Sequence, residues 1–133
     1  MSADIINVVA AVQRRDDRFC VFRRKADDKF AGMWEYPGGK VEAGEELEGA
    51  LARELWEEFG VPAEIGQMLA AIEATHAGKR YRVHFFATRF IGEPELRVHD
   101  LMQWCTLEEM DMQDHLPSGV LFNAALRLKS VSR

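Results

Sequence analysis

One segment of the sequence, residues 46–59, constrains the fold more than any other. It consists of strong helix formers and is followed by Gly60, which can adopt a left-handed helix cap, and by Pro62, which stops a helix from continuing. We therefore predict a long helix over this segment. Apolar runs on either side of it, separated by turn residues, predict the strands of a mixed sheet. The expected fold class is α/β, and a length of 133 residues predicts one domain, residues 1–133.

The remaining elements follow from local patterns. The apolar runs 5–12 and 19–22 flank a polar cluster and predict a hairpin. Thr106 and Glu109 match a capping box, which predicts a short helix, and Ser118 is the expected cap of a last helix. In that helix Val120, Leu121, Ala124 and Leu128 recur at helical spacing. Further strands are predicted at 33–36, 65–74, 80–90 and 101–105.

The charge balance restricts the partners of the chain. A formal net charge of -5 argues against binding of long nucleic acid, because that task requires a basic surface. An acidic chain binds phosphate instead through a divalent cation that its carboxylates hold. No window approaches the roughly 18 apolar residues that span a bilayer. We therefore expect a cytoplasmic protein with no membrane partner, in which Cys20 and Cys105 are reduced, buried thiols.

The predicted helix turns carboxylates toward the body of the protein. With a step of about 100° per residue, Glu54 and Glu58 lie within about 20° of Leu47, and Glu57 lies about 80° away. Apolar residues of the same helix cover an overlapping arc, so at least two of these carboxylates point inward. For any single glutamate pair a solvated helix face is the ordinary alternative. A cluster of inward carboxylates, however, needs a positive charge, and a hard cation such as Mg2+ or Mn2+ provides it.

Residues beside these carboxylates extend the candidate site. Gly38 and Gly39 let the backbone approach a ligand closely and direct carbonyl oxygens at it. Arg53 is placed either to orient Glu54 or to contact phosphate. Glu45 is placed either to cap the first helical turn or to hydrogen-bond across the loop.

Taken together, these residues have the spacing of a known signature. Gly39 is followed after five residues by Glu45 and after seven more by Arg53, which opens the run Arg-Glu-Leu-Trp-Glu-Glu-Phe-Gly-Val ending at Val61. This pattern resembles the complete Nudix box. The chain is also similar to MutT-like members of the Nudix family over nearly its whole length, including residues 22–24, 34–39, 92–94 and Trp104.

The resemblance implies a fold, a reaction and a set of site residues. The implied fold is the Nudix α/β/α sandwich with a central mixed sheet. The implied reaction is Mg2+-dependent hydrolysis of a nucleoside triphosphate to a monophosphate and pyrophosphate. The implied catalytic residues are Arg53, Glu54 and Glu57, and Glu54 is a candidate both to bind metal and to activate water. The implied metal ligands are Glu54, Glu57 and Glu58, with a backbone carbonyl of Gly38 or Gly39.

The resemblance also implies a substrate-binding set. Arg24 matches an arginine that MutT-like proteins offer to the substrate, although an arginine beside a strand also has a purely structural explanation. Tyr36 or Trp34 is placed either in the base pocket or in the core. The implied substrate-binding residues are Arg24, Lys29, Glu35, Tyr36, Pro37 and Gly38.

Three departures from the family pattern concern the substrate. Lys29 stands where MutT has a histidine. Val98 stands where relatives often carry a loop glutamate, so His99 or Asp100 is a candidate replacement, with a loop-stabilising role as the alternative. Residues 116–119 stand where MutT has a base-reading asparagine, and Asn123 follows only later.

The leading functional hypothesis is nucleotide-pool housecleaning, with 8-oxo-dGTP, CTP or a modified dCTP as substrate. A sugar nucleotide, a dinucleoside polyphosphate or capped RNA is the alternative within the same enzyme class. A non-catalytic nucleotide sensor is the alternative from a different class. The expected partner is a small nucleotide, and both a monomer and a homodimer are consistent with the sequence.

Overall fold

A computed structural model describes residues 4–131, which form two four-stranded sheets and three helices. The strands are β1 (Ile5–Val12), β2 (Arg14–Arg15), β3 (Arg18–Arg24), β4 (Trp34–Glu35), β5 (Gly38–Lys40), β6 (Ala63–His76), β7 (Lys79–Phe90) and β8 (His99–Cys105). The helices are α1 (Leu47–Phe59), α2 (Leu107–Met110) and α3 (Pro117–Val131). The predicted α/β class is confirmed.

The first sheet is mixed, as predicted. Its strand order is β5-β1-β7-β6, with β1 parallel to β7 and the other pairs antiparallel. In the second sheet β3 pairs antiparallel with β2, β4 and β8. Strands β6 and β7 form a long hairpin that turns at Ala77 and Gly78.

The prediction that 5–12 and 19–22 pair with each other in a hairpin is wrong. Strand β1 lies in the first sheet and β3 in the second, and the hairpin at this position joins β3 to the short strand β2. Both runs are buried on two faces: Val9 and Ala10, for example, belong to different core clusters. A strand of this kind has no polar alternation, so the sequence pattern does not indicate which strand it pairs with.

The two core clusters place helices on opposite faces of β1. Val9 and Ala11 pack in the cluster that contains Leu51 and Leu55 of α1, whereas Ala10 and Val12 pack in the cluster that contains Phe122 of α3. Because successive strand residues point to opposite faces, α1 and α3 cover opposite sides of the first sheet. This is the α/β/α arrangement that the resemblance implies.

The C-terminal end of α1 lies where the sequence predicts. Gly60 adopts a left-handed conformation (φ 66°), and its N–H donates to the Trp56 carbonyl at 2.9 Å. Arg97 donates to the Glu57 carbonyl at 3.2 Å, so a cation also lies at the negative end of the helix dipole. Two independent contacts therefore stabilise the C-terminal end of the helix that carries the acidic residues.

The last helix is confirmed, but its start and its buried face differ from the sequence pattern. It begins at Pro117, which is favoured in a first helical turn, and Ser118 is inside the helix rather than its cap. The four apolar residues at helical spacing, Val120, Leu121, Ala124 and Leu128, are exposed, and Phe122 and Asn123 are buried. Because apolar residues surround this helix, periodicity alone does not select its inner face. The Thr106 capping box is confirmed.

Two smaller expectations concern the thiols and the membrane. Cys20 and Cys105 are both buried and unpaired, as predicted. Among the described residues, no helix has the length and apolar character required to cross a bilayer.

The buried face of α3 gives a prediction about stability. Phe122 stacks on Phe85 with ring centroids 4.2 Å apart, so Phe122→Ala should lower the free energy of unfolding by about 3–5 kcal/mol. Leu121 is 47% exposed, and Leu121→Ala should change it by no more than about 0.5 kcal/mol. Urea denaturation of both variants measures the difference, and equal destabilisation would contradict this orientation of the helix.

Candidate active site

A cleft of about 310 Å³ lies between the first sheet, α1 and the start of α3. Acidic and apolar side chains share its lining. The acidic residues are Glu35, Glu54 and Glu58, and the apolar wall includes Val8, Tyr36, Val83, Phe85 and Leu116. A single cleft therefore offers both charge and an apolar surface to a ligand.

Helix α1 turns two of its three candidate carboxylates into this cleft. Glu58 is only 8% exposed and the Glu54 side chain 16%, whereas the Glu57 side chain is 55% exposed. The helical geometry predicted that at least two of the three point inward, and the exposed one is Glu57, which lies farthest in angle from Leu47. Glu57 instead lies at the rim, where Arg53 donates to it at 3.1 Å.

Arg53 uses all five of its N–H donors within the site. Nε and Nη2 donate to the two carboxylate oxygens of Glu45 at 2.7 and 2.9 Å, and Nη2 also donates to the Lys40 carbonyl at 3.1 Å. Nη1 donates to Glu54 and Glu57, both at 3.1 Å. A guanidinium has five N–H groups. In this arrangement Arg53 orients carboxylates and has no donor left for phosphate.

The partner of Arg53 in the loop is strongly acidic. Hydrogen bonds from Arg53 and from the Glu42 backbone hold the pKa of Glu45 at about 2. The Glu45 carboxylate is therefore ionised at neutral pH and fixes one side of the guanidinium. Of its two predicted roles, the hydrogen bond across the loop is the one that the structure contains.

The two glycines before α1 permit close packing against the cleft. A Cβ on Gly39 would lie 2.4 Å from the Glu54 carboxylate carbon, and a Cβ on Gly38 would lie 1.8 Å from the Val9 carbonyl oxygen. Both glycines line the cleft. Any side chain at these positions would collide with the acidic cluster or with β1, so the sequence uses glycine at both.

Glu58 is the group that most needs a cation. Its Oε1 is buried and has no hydrogen-bond partner among the described residues. Burial, followed by the nearby charges of Glu35 and Glu54, raises its pKa above the ordinary value. Carboxylate oxygens with a glycine carbonyl beside them form a hard donor set. The residues present at Glu54 and Glu58 therefore fit a divalent cation.

A second group of possible ligand atoms lies deeper in the site. Atoms of Glu35, Glu58 and His99 all lie within 4.8 Å of one another. Glu35, however, already accepts from Arg24 at 2.9 Å and is 2.7 Å from His99 Nε2. The Arg24 guanidinium therefore supplies positive charge at this place.

Most, but not all, of the implied substrate-binding residues line the cleft. Five of the six line the cleft: Arg24, Lys29, Glu35, Tyr36 and Gly38. Pro37 does not line it, since Pro37 is fully buried and its carbonyl accepts from the Ala11 N–H at 2.7 Å. Trp34 is buried in the core and does not line the cleft either.

The residues considered where the chain departs from the family pattern lie in different parts of the structure. His99 is fully buried beside Glu35, whereas Asp100 lies on the surface, where both its oxygens accept from Arg23 at 2.9 Å. Asp100 is therefore not among the residues of the cleft. The buried Asn123 accepts from the Tyr36 hydroxyl at 2.6 Å and does not line the cleft.

Sequence reasoning missed the wall that the β6–β7 hairpin contributes. Tyr81, Val83 and Phe85 face the cleft from β7, and the rings of Phe30 and His76 lie 5.1 Å apart in its lining. In the sequence, the period-two alternation within 80–90 indicates that these three residues share one face of the strand. It did not indicate which element lies opposite that face.

The comparisons with known proteins agree with this fold. The model of the NUDIX domain matches residues 4–124. The CTP pyrophosphohydrolase of Escherichia coli (strain K12) is 34% identical over 128 residues, which cover 95% of each chain. The 8-oxo-dGTP diphosphatase of Haemophilus influenzae is 35% identical over 121 residues, which cover 90% of this chain and 89% of the relative. The solution structure of the Escherichia coli ORF135 protein matches with a TM-score of 0.83 and 32% identity, covering 98% of this chain and 94% of that one.

These matches assign the class and then the family. An α/β/α sandwich with a carboxylate cluster in its cleft, and with relatives named as pyrophosphohydrolases, is a hydrolase of phosphorus-containing anhydrides. The chain belongs to the Nudix family.

The buried acid gives a prediction about pH. Without divalent cations, folded Glu58 retains a proton that the unfolded chain loses above the ordinary glutamate pKa. This contribution to stability is complete below the pKa of the unfolded chain and is lost as the pH rises through the raised pKa of folded Glu58. The total loss is about 1.4 kcal/mol per unit of difference between the two pKa values. Glu58→Gln should therefore show a smaller loss of unfolding free energy between about pH 5 and about pH 9. Thermal melting of both proteins in EDTA across this pH range measures the difference.

The exposed Glu57 supplies the matched control for that experiment. Glu57→Gln removes a carboxylate from the same helix and should keep the wild-type slope of stability against pH. If Glu58→Gln also kept that slope, Glu58 would be ionised in the folded protein without a cation.

The two glycines give a prediction that separates activity from stability. Gly39→Ala should displace the flexible Glu54 carboxylate and lower hydrolytic activity by about a hundredfold with little loss of stability. Gly38→Ala forces the backbone away from Val9 and should destabilise the fold by about 1–3 kcal/mol. Gly49→Ala, at an open position of α1, is the control. It should leave activity unchanged and should not lower stability. Equal unfolding curves for Gly38→Ala and Gly49→Ala would contradict the prediction.

Proposed function

We propose that this chain is a Mg2+-dependent nucleoside triphosphate pyrophosphohydrolase that removes unwanted nucleotides from the cellular pool. One observation carries the proposal: the inward carboxylates of α1 and an apolar wall suited to a base line the same cleft. The names of the relatives, a CTP pyrophosphohydrolase and an 8-oxo-dGTP diphosphatase, support a triphosphate substrate. The proposed substrates are CTP, a modified dCTP or 8-oxo-dGTP.

Glu54, Glu57 and Glu58, with a carbonyl of Gly38 or Gly39, are the proposed ligands of Mg2+, for which Mn2+ is the proposed substitute. When bound, the cation neutralises phosphate charge and lowers the pKa of water. The orphaned Oε1 of Glu58 and the packing of Gly39 against Glu54 support this set.

The residues of the chain have distinct proposed roles in the reaction. Glu54, held by Arg53, accepts the proton of the attacking water. The water oxygen joins phosphorus, the bond between the α- and β-phosphates breaks, and a monophosphate and pyrophosphate leave. Lys29 and Lys40 line the cleft without a carboxylate partner in the described part of the chain, so their ammonium groups are available to phosphate oxygens.

The base is proposed to lie against the wall formed by Tyr36, Val83 and Phe85. Asn123 is excluded from direct base recognition in this arrangement, because it is buried and its amide is bonded to Tyr36. Ser118 lines the cleft and is the polar side chain at the start of α3 that remains available to a base. We further propose that the protein acts in the cytoplasm as one domain, as a monomer or homodimer, on small nucleotides.

Pyrophosphate release from a nucleotide panel tests the proposal. The panel contains 8-oxo-dGTP, CTP, a modified dCTP, ADP-ribose and a dinucleoside polyphosphate, each with Mg2+ and with EDTA. We expect hydrolysis of a triphosphate that EDTA abolishes. Glu54→Gln and Glu57→Gln should each reduce the rate by about a hundredfold or more.

Glu48 provides the matched control, because it lies exposed in the first turn of the same helix. Glu48→Gln should keep the wild-type rate. Preference for ADP-ribose or the dinucleoside polyphosphate would replace the triphosphate assignment. Binding of a nucleotide without hydrolysis of any panel member would contradict the enzymatic proposal.

A further inference from the structure

A chain of charged hydrogen bonds crosses the inner side of the cleft. It starts at His99, whose Nε2 lies 2.7 Å from Glu35 Oε2. The same oxygen accepts from Arg24 Nη1 at 2.9 Å, and Arg24 Nη2 donates to Asp28 at 2.7 Å. Asp28 in turn accepts from the Phe30 backbone N–H at 2.8 Å. A histidine in the core is thus connected to a loop that lines the cleft.

The His99 ring is fixed in one orientation. It is fully buried, stacks on Phe59 with an interplanar angle of 1°, and lies 5.3 Å from the ring of Phe22. Because a carboxylate only accepts hydrogen bonds, the nitrogen that faces Glu35 carries the proton. His99 therefore acts as a rigid donor toward Glu35.

The strand geometry brings Arg24 into this chain. Strands β3 and β8 change register between Arg23 and Arg24, and Arg24 then stands opposite His99. Such a bulge redirects a side chain, and it separates Arg23, which pairs with Asp100 on the surface, from Arg24, which enters the cleft. The loop closes on the same residue, since Gly32 N–H donates to the Arg24 carbonyl at 3.2 Å.

A metal ion is the alternative to this hydrogen-bonded chain, because ligand atoms of Glu35, Glu58 and His99 lie close enough together to bind one. Arg24 opposes it, because its guanidinium already donates at 2.9 Å to Glu35 Oε2, the oxygen that also lies 2.7 Å from His99 Nε2. The positive charge of the guanidinium would repel a metal cation bound to the same carboxylate. The hydrogen-bonded chain is therefore the arrangement that the contacts favour.

We propose that His99 is a positioning residue for substrate binding: through Glu35 it holds the Arg24 guanidinium in the cleft and, through Asp28, fixes the loop that carries Lys29 and Phe30. The proposal rests on the proposed function, in which the cleft binds a nucleotide. Arg24 is the group that contacts the substrate, and its side chain binds phosphate or a polar edge of the base. His99 itself is not among the residues that line the cleft, so the proposal gives it no contact with the substrate.

Steady-state kinetics on the best substrate of the panel test this role. His99→Phe retains the stacked ring but loses the donor, and it should raise KM by about tenfold or more while kcat changes by less than about threefold. His99→Gln restores an N–H at similar reach and should recover most of the KM. The Mg2+ concentration for half-maximal rate should stay constant. A lower kcat with unchanged KM and a higher Mg2+ requirement would overturn the proposal and assign His99 to the metal.

A double-mutant cycle tests whether His99 acts through Arg24. His99→Phe and Arg24→Gln should not be additive in KM, because removing Arg24 removes the group that His99 holds. Additive effects would overturn the proposal. Thermal melting of each variant confirms that the protein measured is folded.

A measurement that needs no activity separates this proposal from the proposed function. In 15N-arginine spectra, the Arg24 guanidinium should show hindered rotation in the wild type and in His99→Gln, and free rotation in His99→Phe. Its signal is assigned by its loss in Arg24→Gln. If rotation stayed hindered in His99→Phe, the proposal would fail whatever the substrate. If no nucleotide were hydrolysed while the rotation changed as expected, only the proposed function would fail.

Discussion

The guanidinium of Arg53 joins three separate pieces of the chain, and the geometry of the site depends on it. It contacts the loop through Glu45, strand β5 through the Lys40 carbonyl, and helix α1 through Glu54 and Glu57. Each of these contacts uses a different N–H group, so the fork shape of arginine is required and a lysine would not replace it. The helix is thereby held at the distance that brings the Glu54 carboxylate against Gly39. Repulsion among the acids would otherwise separate these elements.

A second arginine divides the acidic cluster. Arg24 neutralises Glu35 and Asp28 on the inner side, while Arg53 neutralises Glu45 and the outer carboxylates. Glu58 lies between these two systems, and neither guanidinium donates to its buried Oε1. Within this cluster, Glu58 is therefore the buried acid that forms no ion pair with the described residues. A fold that keeps such a group has a lower free energy when a cation is bound, which couples metal affinity to stability.

The sequence determined the parts of the site that depend on one helix. The cap at Gly60 follows from local conformation and was predicted. The 3.6-residue period predicted that at least two of the three glutamates point inward, and Glu54 and Glu58 do so. The strand partners of β1, the inner face of α3 and the surface position of Asp100 depend on contacts between distant segments. Asp100 and His99 are neighbours on a strand and so point to opposite faces; the register of β8 on β3 decided which one entered the interior. No local pattern contains that register.

The same distinction explains why the reaction follows from the sequence more readily than the base. The acids and their arginine come from α1 and the segment immediately before it, where spacing along the chain fixes spacing in space. The apolar wall comes from β1, β7, the 25–32 loop and the start of α3, which are far apart in the sequence. Changes in those segments need not disturb Glu54 and Glu58, since none of the segments belongs to α1. Under the proposed function, base preference can therefore differ among chains that keep one reaction, and the cleft-lining residues Lys29, Phe30 and Ser118 are positions where a substitution would leave α1 intact.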